Sequence, residues 1–278
     1  MSTAFILRLP TGSQTSLLTL TRPSPTVWQI ELHNGADNLL GKTLINDALK
    51  PALQTIEREW RKERADGEAR KDKNVGAGAV VIVGRLDQEK FFSNGLDFAS
   101  AVADPAWFPA TFDPLLLYLL TFPLPTVAAI NGHCFAGGAM LSLAFDYRVM
   151  TDGVKRNAWM CMNEIDIGAA WPVSFAAIVR AKVSATATHR FVVEGHRFTP
   201  MEARDAGLVD EIVAGGTSGV LKRAHEIAQE KAPKAREGVW GLIKTELYRP
   251  VIELVRLGIP SLSAARDESA AQLRLGKL

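Results

Sequence analysis

A chain of 278 residues that is 47% hydrophobic and 22% charged can bury a full core, as one large domain or a domain with an appendage, which excludes a largely disordered protein. Its formal net charge of +2 creates no field that would gather nucleic acid, and two cysteines, Cys134 and Cys161, cannot build a disulfide framework. The opening Met1 to Pro10 lacks the charged front and long apolar stretch of a secretory signal, no run is apolar for long enough to cross a bilayer, and no Cys/His set has structural zinc spacing.

In chain order, Ser16–Thr21 and Thr26–Leu32 collect β-forming residues around Pro23 and Pro25 and predict an opening hairpin. Apolar residues at Leu44, Ile45, Ala48, Leu49, Leu53 and Ile56 recur at helical spacing and predict a helix from Leu44 to Trp60. The mixed-charge run Arg61 to Lys73 has no aromatic residues, so it reads as a solvated helix end and loop and not as a nucleic-acid surface. Strand and helix then alternate: a strand over Gly78–Gly84, a helix around Leu115–Leu120, a strand at Val127, a helix from about Gly138 to Ala144, and a strand at Tyr147–Met150. This alternation predicts an α/β fold built from βαβ units. Beyond Trp171 the chain turns helix-rich, with candidates at Ala176–Ala181, Ala185–Val193, Pro200–Ala206, Val220–Lys231 and Ile259–Leu275. Thr199 is a good N-cap with Pro200 at the first helical position, and Gly207 stops that helix.

Two glycine-bearing turns stand out. Pro125 to Met140 runs as a buried apolar strand, a turn through Asn131-Gly132-His133-Cys134-Phe135-Ala136-Gly137-Gly138, and an apolar helix. Glycine at such a turn permits unusual backbone angles and close approach, and the free N–H groups of the helix start attract negative charge. Upstream, Phe91-Phe92-Ser93-Asn94-Gly95-Leu96-Asp97 again places a glycine after an apolar strand. Two converging N–H donors can hold a thioester oxygen as it becomes an enolate. Gly137-Gly138 alone would fit a tight turn or close helix packing; its upstream partner and a later glutamate motif favour a site.

These motifs, in this order over roughly residues 16 to 215, resemble the crotonase (enoyl-CoA hydratase/isomerase) superfamily. The resemblance implies a ββα spiral of two sheets with a helical C-terminal region. It divides the chain into a core at 1–195, carrying the site, and a segment at 196–278 that covers the acyl pocket and packs against neighbouring subunits. It implies an oxyanion hole formed by the backbone N–H groups of Leu96 and Gly137. The surrounding Ser93, Asn94, Gly95, Asp97, Gly138 and Met140 are then expected at the substrate. Asn38-Leu39-Leu40 resembles the early Asn-Ala-Leu segment along the CoA path, which puts Leu39 and Leu40 against the ligand.

Within Trp159 to Gly168, Glu164 sits among apolar residues and matches the family's acid/base glutamate. Apolar surroundings raise a carboxyl pKa and suit it to proton transfer near neutrality. Family hydratases carry a second glutamate where this chain has Met140, and a thioether cannot take a proton from water. One carboxylate suits a proton relay, and the Phe-Phe-Ser-Asn-Gly and Glu-Ile-Asp-Ile wording is similar to the Δ3,Δ2-enoyl-CoA isomerase branch of plant peroxisomes. The implied reaction moves a 3-enoyl-CoA double bond to trans-2, a step of fatty acid β-oxidation.

His133, Cys134, Asp146 and Asp166 have structural readings: local hydrogen bonding, a small buried hydrophobe, a fixed loop, and a pairing near Gly168. Two further readings stay open, a related enzyme acting on another acyl-CoA ester and a noncatalytic scaffold that binds one. No resident cofactor or metal is expected, because coenzyme A arrives with the substrate. The expected partners are an acyl-CoA thioester and further copies of the chain in a homotrimer or hexamer, without nucleic acid or membrane. Gly276-Lys277-Leu278 resembles a peroxisomal tripeptide with glycine in its first place. The expected address is the peroxisome where that tripeptide is read, and the cytoplasm otherwise.

Overall fold

The continuous β-branched runs of the chain become strands buried on both faces, as parallel sheets require. A computed structural model describes residues 6–72 and 75–276. It opens with β1 (Ile6–Leu9), β2 (Leu18–Ser24) and β3 (Val27–Leu32), an antiparallel set whose second and third members are the expected hairpin. β1 goes beyond the expectation; it is short and half-exposed, so it leaves no clear alternation in the sequence. A π-turn at Leu44–Leu49 leads into α1 (Lys50–Ala69). The charged run after Trp60 is thus mainly helix, a correction explained by ion pairs four residues apart: Arg61 with Glu57, Lys62 with Asp66, and Arg64 with Glu68. Lys73 lies outside the described residues.

Next come β4 (Ala79–Val83), β5 (Phe91–Ser93), α2 (Phe98–Ala103), a π-turn at Phe108–Phe112 and α3 (Asp113–Leu120). They are followed by β6 (Thr126–Ile130), β7 (His133–Phe135) and α4 (Gly137–Ala144), then β8 (Tyr147–Thr151), β9 (Met160–Cys161), a 3-10 turn at Glu164–Ile167 and α5 (Val173–Lys182). Each repeat places its first strand in a seven-stranded sheet of order β1-β2-β3-β4-β6-β8-β10 and its second in a three-stranded sheet of order β5-β7-β9, before a helix returns. This is the expected two-sheet ββα spiral.

The remainder is α6 (Ala185–Val192), α7 (Pro200–Asp205), β10 (Glu211–Val213), α8 (Gly216–Lys231), α9 (Trp240–Leu247), α10 (Arg249–Arg256) and α11 (Ala264–Leu275). Thr199 and Glu202 close a capping box on α7, with Pro200 inside it. Strand β10 pairs in parallel with β8, and Val220, Ala224, Ile227 and Ala228 of α8 pack on Val81, Val83, Val127 and Ala129. The chain beyond residue 195 therefore contributes to the central sheet and its packing. Along β4 the period of two is plain: Val80 and Ile82 face the main core, while Val81 and Val83 face α8.

Helices α9 and α10 lie outside the expected set; in α9 much of the apolar surface is exposed, at Leu242, Ile243 and Leu247, which blurs the core-facing signal, whereas α10 does bury a face through Val251 and Ile252. The last helix starts only at Ala264, after Gly258 in a left-handed turn and Pro260. Asp146 fixes its loop as expected. Its carboxylate accepts from the Thr126 N–H and hydroxyl, both at 3.0 Å, and from the Trp240 indole at 3.3 Å, and it pairs with buried Lys244 at 2.8 Å.

Candidate active site

Both glycine turns leave parallel strands of the small sheet, β5 and β7, and so arrive side by side. The first is held from behind. The Ser93 hydroxyl donates to Asn38 O at 2.7 Å and accepts from the Gly95 N–H at 3.2 Å. Asn38 is itself buried, with its side-chain amide donating to Leu32 O and Phe92 O and its Oδ1 accepting from the Asn34 N–H. The Leu40 N–H donates to Gly95 O at 2.8 Å, and the Asp97 N–H returns a bond to Leu40 O at 3.3 Å. Between these clamped peptides, the Leu96 N–H has no acceptor among the hydrogen bonds of the described residues.

The second turn passes through Ala136, whose φ of +49° and ψ of −122° form a corner normally left to glycine. Its N–H donates to Cys161 O at 2.8 Å, and its carbonyl accepts from the Met140 N–H at 3.0 Å. Gly137 follows as the first residue of α4, its N–H also without an intrachain acceptor among the described residues. A Cβ on Gly137 would run into the Leu96 side chain and stand 3.3 Å from Leu96 N, while one on Gly95 would stand 3.4 Å from Gly137 N. Only glycine lets the two peptides come this close. The result is a pair of adjacent, unspent N–H groups at the positive end of a helix, an arrangement suited to a developing oxyanion.

Glu164 reaches the same region through backbone pairing. Phe135 of β7 is in register with Cys161 of β9, and Glu164 opens the 3-10 turn that follows. Gly168, left-handed at φ +65°, ends that turn. Glu164 is only 8% exposed, and its Oε2 has no hydrogen-bond partner. Burial pushes its carboxyl up to about 7, against the opposing pull of its own backbone N–H and the Trp171 indole. Trp171 meets Phe175 edge-on at 5.7 Å, and Phe175 in turn meets Phe108 at 5.7 Å and Phe112 at 5.9 Å. An aromatic wall thus runs away from the glutamate. This wall lies outside the residues expected from the sequence; its signal there is the cluster of Trp107, Phe108 and Phe112 before α3 and of Trp171 and Phe175 around the start of α5.

The other expected contacts divide. Leu39 is half-buried and Leu40 fully buried beside the first turn, while the Asn94 N–H is spent on Asp37 O at 2.9 Å. Gly138 lies flat on Ser93, since a Cβ there would stand 2.7 Å from Ser93 O. Three further residues expected at the substrate have these intrachain placements. Ser93 is buried with its hydroxyl committed to the loop, Asp97 caps α2 through Ser100, and Met140 is wholly enclosed in the apolar core. His133 Nδ1 accepts from the Trp159 N–H at 3.1 Å, and burial together with nearby Arg156, Lys90 and Arg197 holds its pKa down. Cys134 is fully buried, which pushes its thiol up to about 12. Asp166 is exposed on the 3-10 turn.

Two surface clefts lie elsewhere: one of about 360 Å³ between α3 and α10, including Tyr118 and Ile252, and one of about 580 Å³ including Gln88 and Lys155. Neither is lined by Leu96, Gly137 or Glu164. Among the described residues, no three His, Cys, Asp or Glu side chains gather as a metal site, and no helix is long and apolar enough to cross a membrane.

Comparison with known proteins agrees with this geometry. The profile of the enoyl-CoA hydratase/isomerase family matches residues 24–245. The chain belongs to that family, the crotonases. Among crotonases, the chain is 33% identical over 195 residues to enoyl-CoA delta isomerase 3 of Arabidopsis thaliana, covering 67% of this chain and 80% of that one. Peroxisomal enoyl-CoA delta isomerase 2 of the same plant is 35% identical over 182 residues, covering 62% and 74%. The solved apo enoyl-CoA isomerase of Mycobacterium tuberculosis superposes with a TM-score of 0.69 at 26% identity, covering 87% of this chain and 95% of that one. These crotonase relatives place the resemblance on the isomerase side of the family.

Proposed function

We propose that this crotonase is a Δ3,Δ2-enoyl-CoA isomerase of fatty acid β-oxidation. The observation that carries the reading is a single buried carboxylate, Glu164, tuned to about 7, in the turn after β9, the strand paired with β7, whose own end leads to the unspent Gly137 N–H beside that of Leu96. Glu164, ionised, takes a proton from C2 of a 3-enoyl-CoA. The C2–H electrons move into a dienolate whose thioester oxygen is held by the N–H groups of Leu96 and Gly137. The same carboxyl returns the proton to C4, leaving the double bond conjugated at C2 and the glutamate ionised again. No atom is gained or lost. A base with a pKa near the working pH both accepts and releases this proton readily.

Met140 supports isomerisation over hydration, because an enclosed thioether offers no second base for water. Coenzyme A enters as part of the substrate, and the chain's own residues supply the acid/base and electrostatic steps. The relatives' peroxisomal names support a peroxisomal address; Lys277 and Leu278 lie outside the described residues. The exposed apolar residues Leu242, Ile243 and Leu247 on α9 support self-association as a trimer or hexamer.

The test follows conjugated-thioester absorbance when purified protein meets a 3-enoyl-CoA without added hydratase. Conversion that disappears in Glu164→Gln is the expected result. Saturable binding without conversion would overturn the reading in favour of another acyl-CoA ester or a binding role.

A further inference from the structure

Buried polar atoms without partners are rare in folded proteins because each forfeits its hydration. Beyond Glu164, three such atoms lie along the aromatic wall: Trp107 Nε1, Asp113 Oδ1 and Ser174 Oγ. Trp107 is 1% exposed and Ser174 2%, so bulk water does not serve them. Asp113 and Ser174 lie close together, and Trp107 packs on Phe112, the residue before Asp113. The Phe112 and Phe175 rings, adjacent in sequence to Asp113 and Ser174, meet at 5.9 Å, and the Trp107 ring meets Phe112 at 5.6 Å. The Ser174 hydroxyl lies near enough to Asp113 to counter the upward push of burial on that carboxyl, yet closes no hydrogen bond with it. Asp113 opens α3, where the helix dipole favours a carboxylate, but that does not explain an inward oxygen with no donor.

The three atoms are complementary in kind. The indole N–H only donates, the carboxylate only accepts, and the serine hydroxyl does either. A ligand carbonyl would satisfy the donors and leave Asp113 unpaired, and a ligand carboxylate would be repelled by it. A hydroxyl can accept from Trp107 and donate to Asp113 at once.

We propose that Trp107, Asp113 and Ser174 form a polar corner in the acyl wall that selects chains bearing a hydroxyl group beyond C4 over plain hydrocarbon chains. The proposal rests on the isomerase reading only in laying an acyl chain along the wall that starts at Glu164.

Binding can be separated from turnover with saturated thioesters, which have no double bond to move. Calorimetric titration compares decanoyl-CoA with decanoyl-CoA hydroxylated at successive positions from C6 to C10, on the whole protein and on Ser174→Ala and Trp107→Phe. The wild type is expected to bind at least one hydroxylated chain about tenfold more tightly than decanoyl-CoA, the ratio typical of one recovered buried hydrogen bond. Each variant should reduce that ratio to about twofold or less while changing decanoyl-CoA affinity little. Ser174→Ala removes an unpartnered hydroxyl from an apolar site, so loss of folding does not confound it. Equal affinity for all chains in the wild type would overturn the proposal, leaving ordered water as the occupant of the corner. A preference that survives both variants would overturn it as well. A hydroxyl preference in a protein that converts no 3-enoyl-CoA would sink the isomerase reading and leave this one standing.

Discussion

The oxyanion turns and the glutamate wall achieve opposite things with the same burial. Around Leu96 and Gly137 nearly every polar group is spent: Ser93, Asn38, Gly95 and Leu40 are linked by hydrogen bonds on one side, Ala136 is bonded to Cys161 and Met140 on the other, and the two free N–H groups are left over. Around Glu164 the chain withholds partners, and the carboxyl gains its proton affinity from what is missing. A site of fixed dipoles needs satisfaction around it, whereas a proton shuttle near neutrality needs deprivation.

The largest effect should come from restoring comfort to the deprived side. Glu164→Gln is expected to lower kcat by about 10³-fold or more, with saturated acyl-CoA affinity kept within a few-fold, as steady-state kinetics and titration would establish. The same substitution should stabilise the fold in alkaline buffer. Because the folded carboxyl is raised from 4.5 to about 7, native stability is fullest below about 4.5 and is lost as pH rises through about 7. Gln carries no such penalty, so urea unfolding at pH 8 should favour the variant by about 3 kcal/mol, with the gain fading by pH 5. In the wild type, kcat/KM should climb with pH through an apparent value near 7 as the base ionises; a flat profile from pH 5 to 8 would mean another group carries the proton.

On the satisfied side, Gly137→Ala drives a methyl into Leu96 and spreads the two donors, with an expected loss of about 10²- to 10³-fold in kcat. Ser93→Ala touches no reacting atom but strands Asn38 O and the Gly95 N–H, costing about 1–3 kcal/mol in urea unfolding and lowering kcat by about tenfold. An unchanged kcat with that loss of stability would confine Ser93 to the fold. The smallest effect is expected at Ala136→Gly. Relief of the left-handed corner, about 1–3 kcal/mol, is offset by about 0.5–1 kcal/mol of added chain entropy, so melting should show a modest gain in stability and kcat should shift by no more than about threefold.

Much of this was legible in the residues. The β-branched runs of β4 and β6 and the glycines at 95, 137 and 138 announce strands and close backbone approach in a form that sequence records directly. The apolar setting of Glu164 was readable in the same way, since Met160 and Met162 leave it little else to face. What escaped was long-range. Nothing local in Ser93 says that its hydroxyl belongs to Asn38, and nothing in Asp97 announces that it caps α2 through Ser100. Met140 stood out because family hydratases carry a second glutamate there, but its full enclosure in the apolar core is not recorded locally. Helix α9 escaped because its exposed apolar residues blur the stripe that usually marks a buried face.

The pairing of Phe135 with Cys161 has a mechanical meaning. Gly137 is reached directly from one strand of the small sheet and the glutamate from its neighbour, so their separation is referenced to a strand spacing, about 4.8 Å, and to the bond from the Ala136 N–H to Cys161 O. On the proposed mechanism, alignment of base and hole is therefore a tolerance inherited from the small sheet and independent of the outer helices.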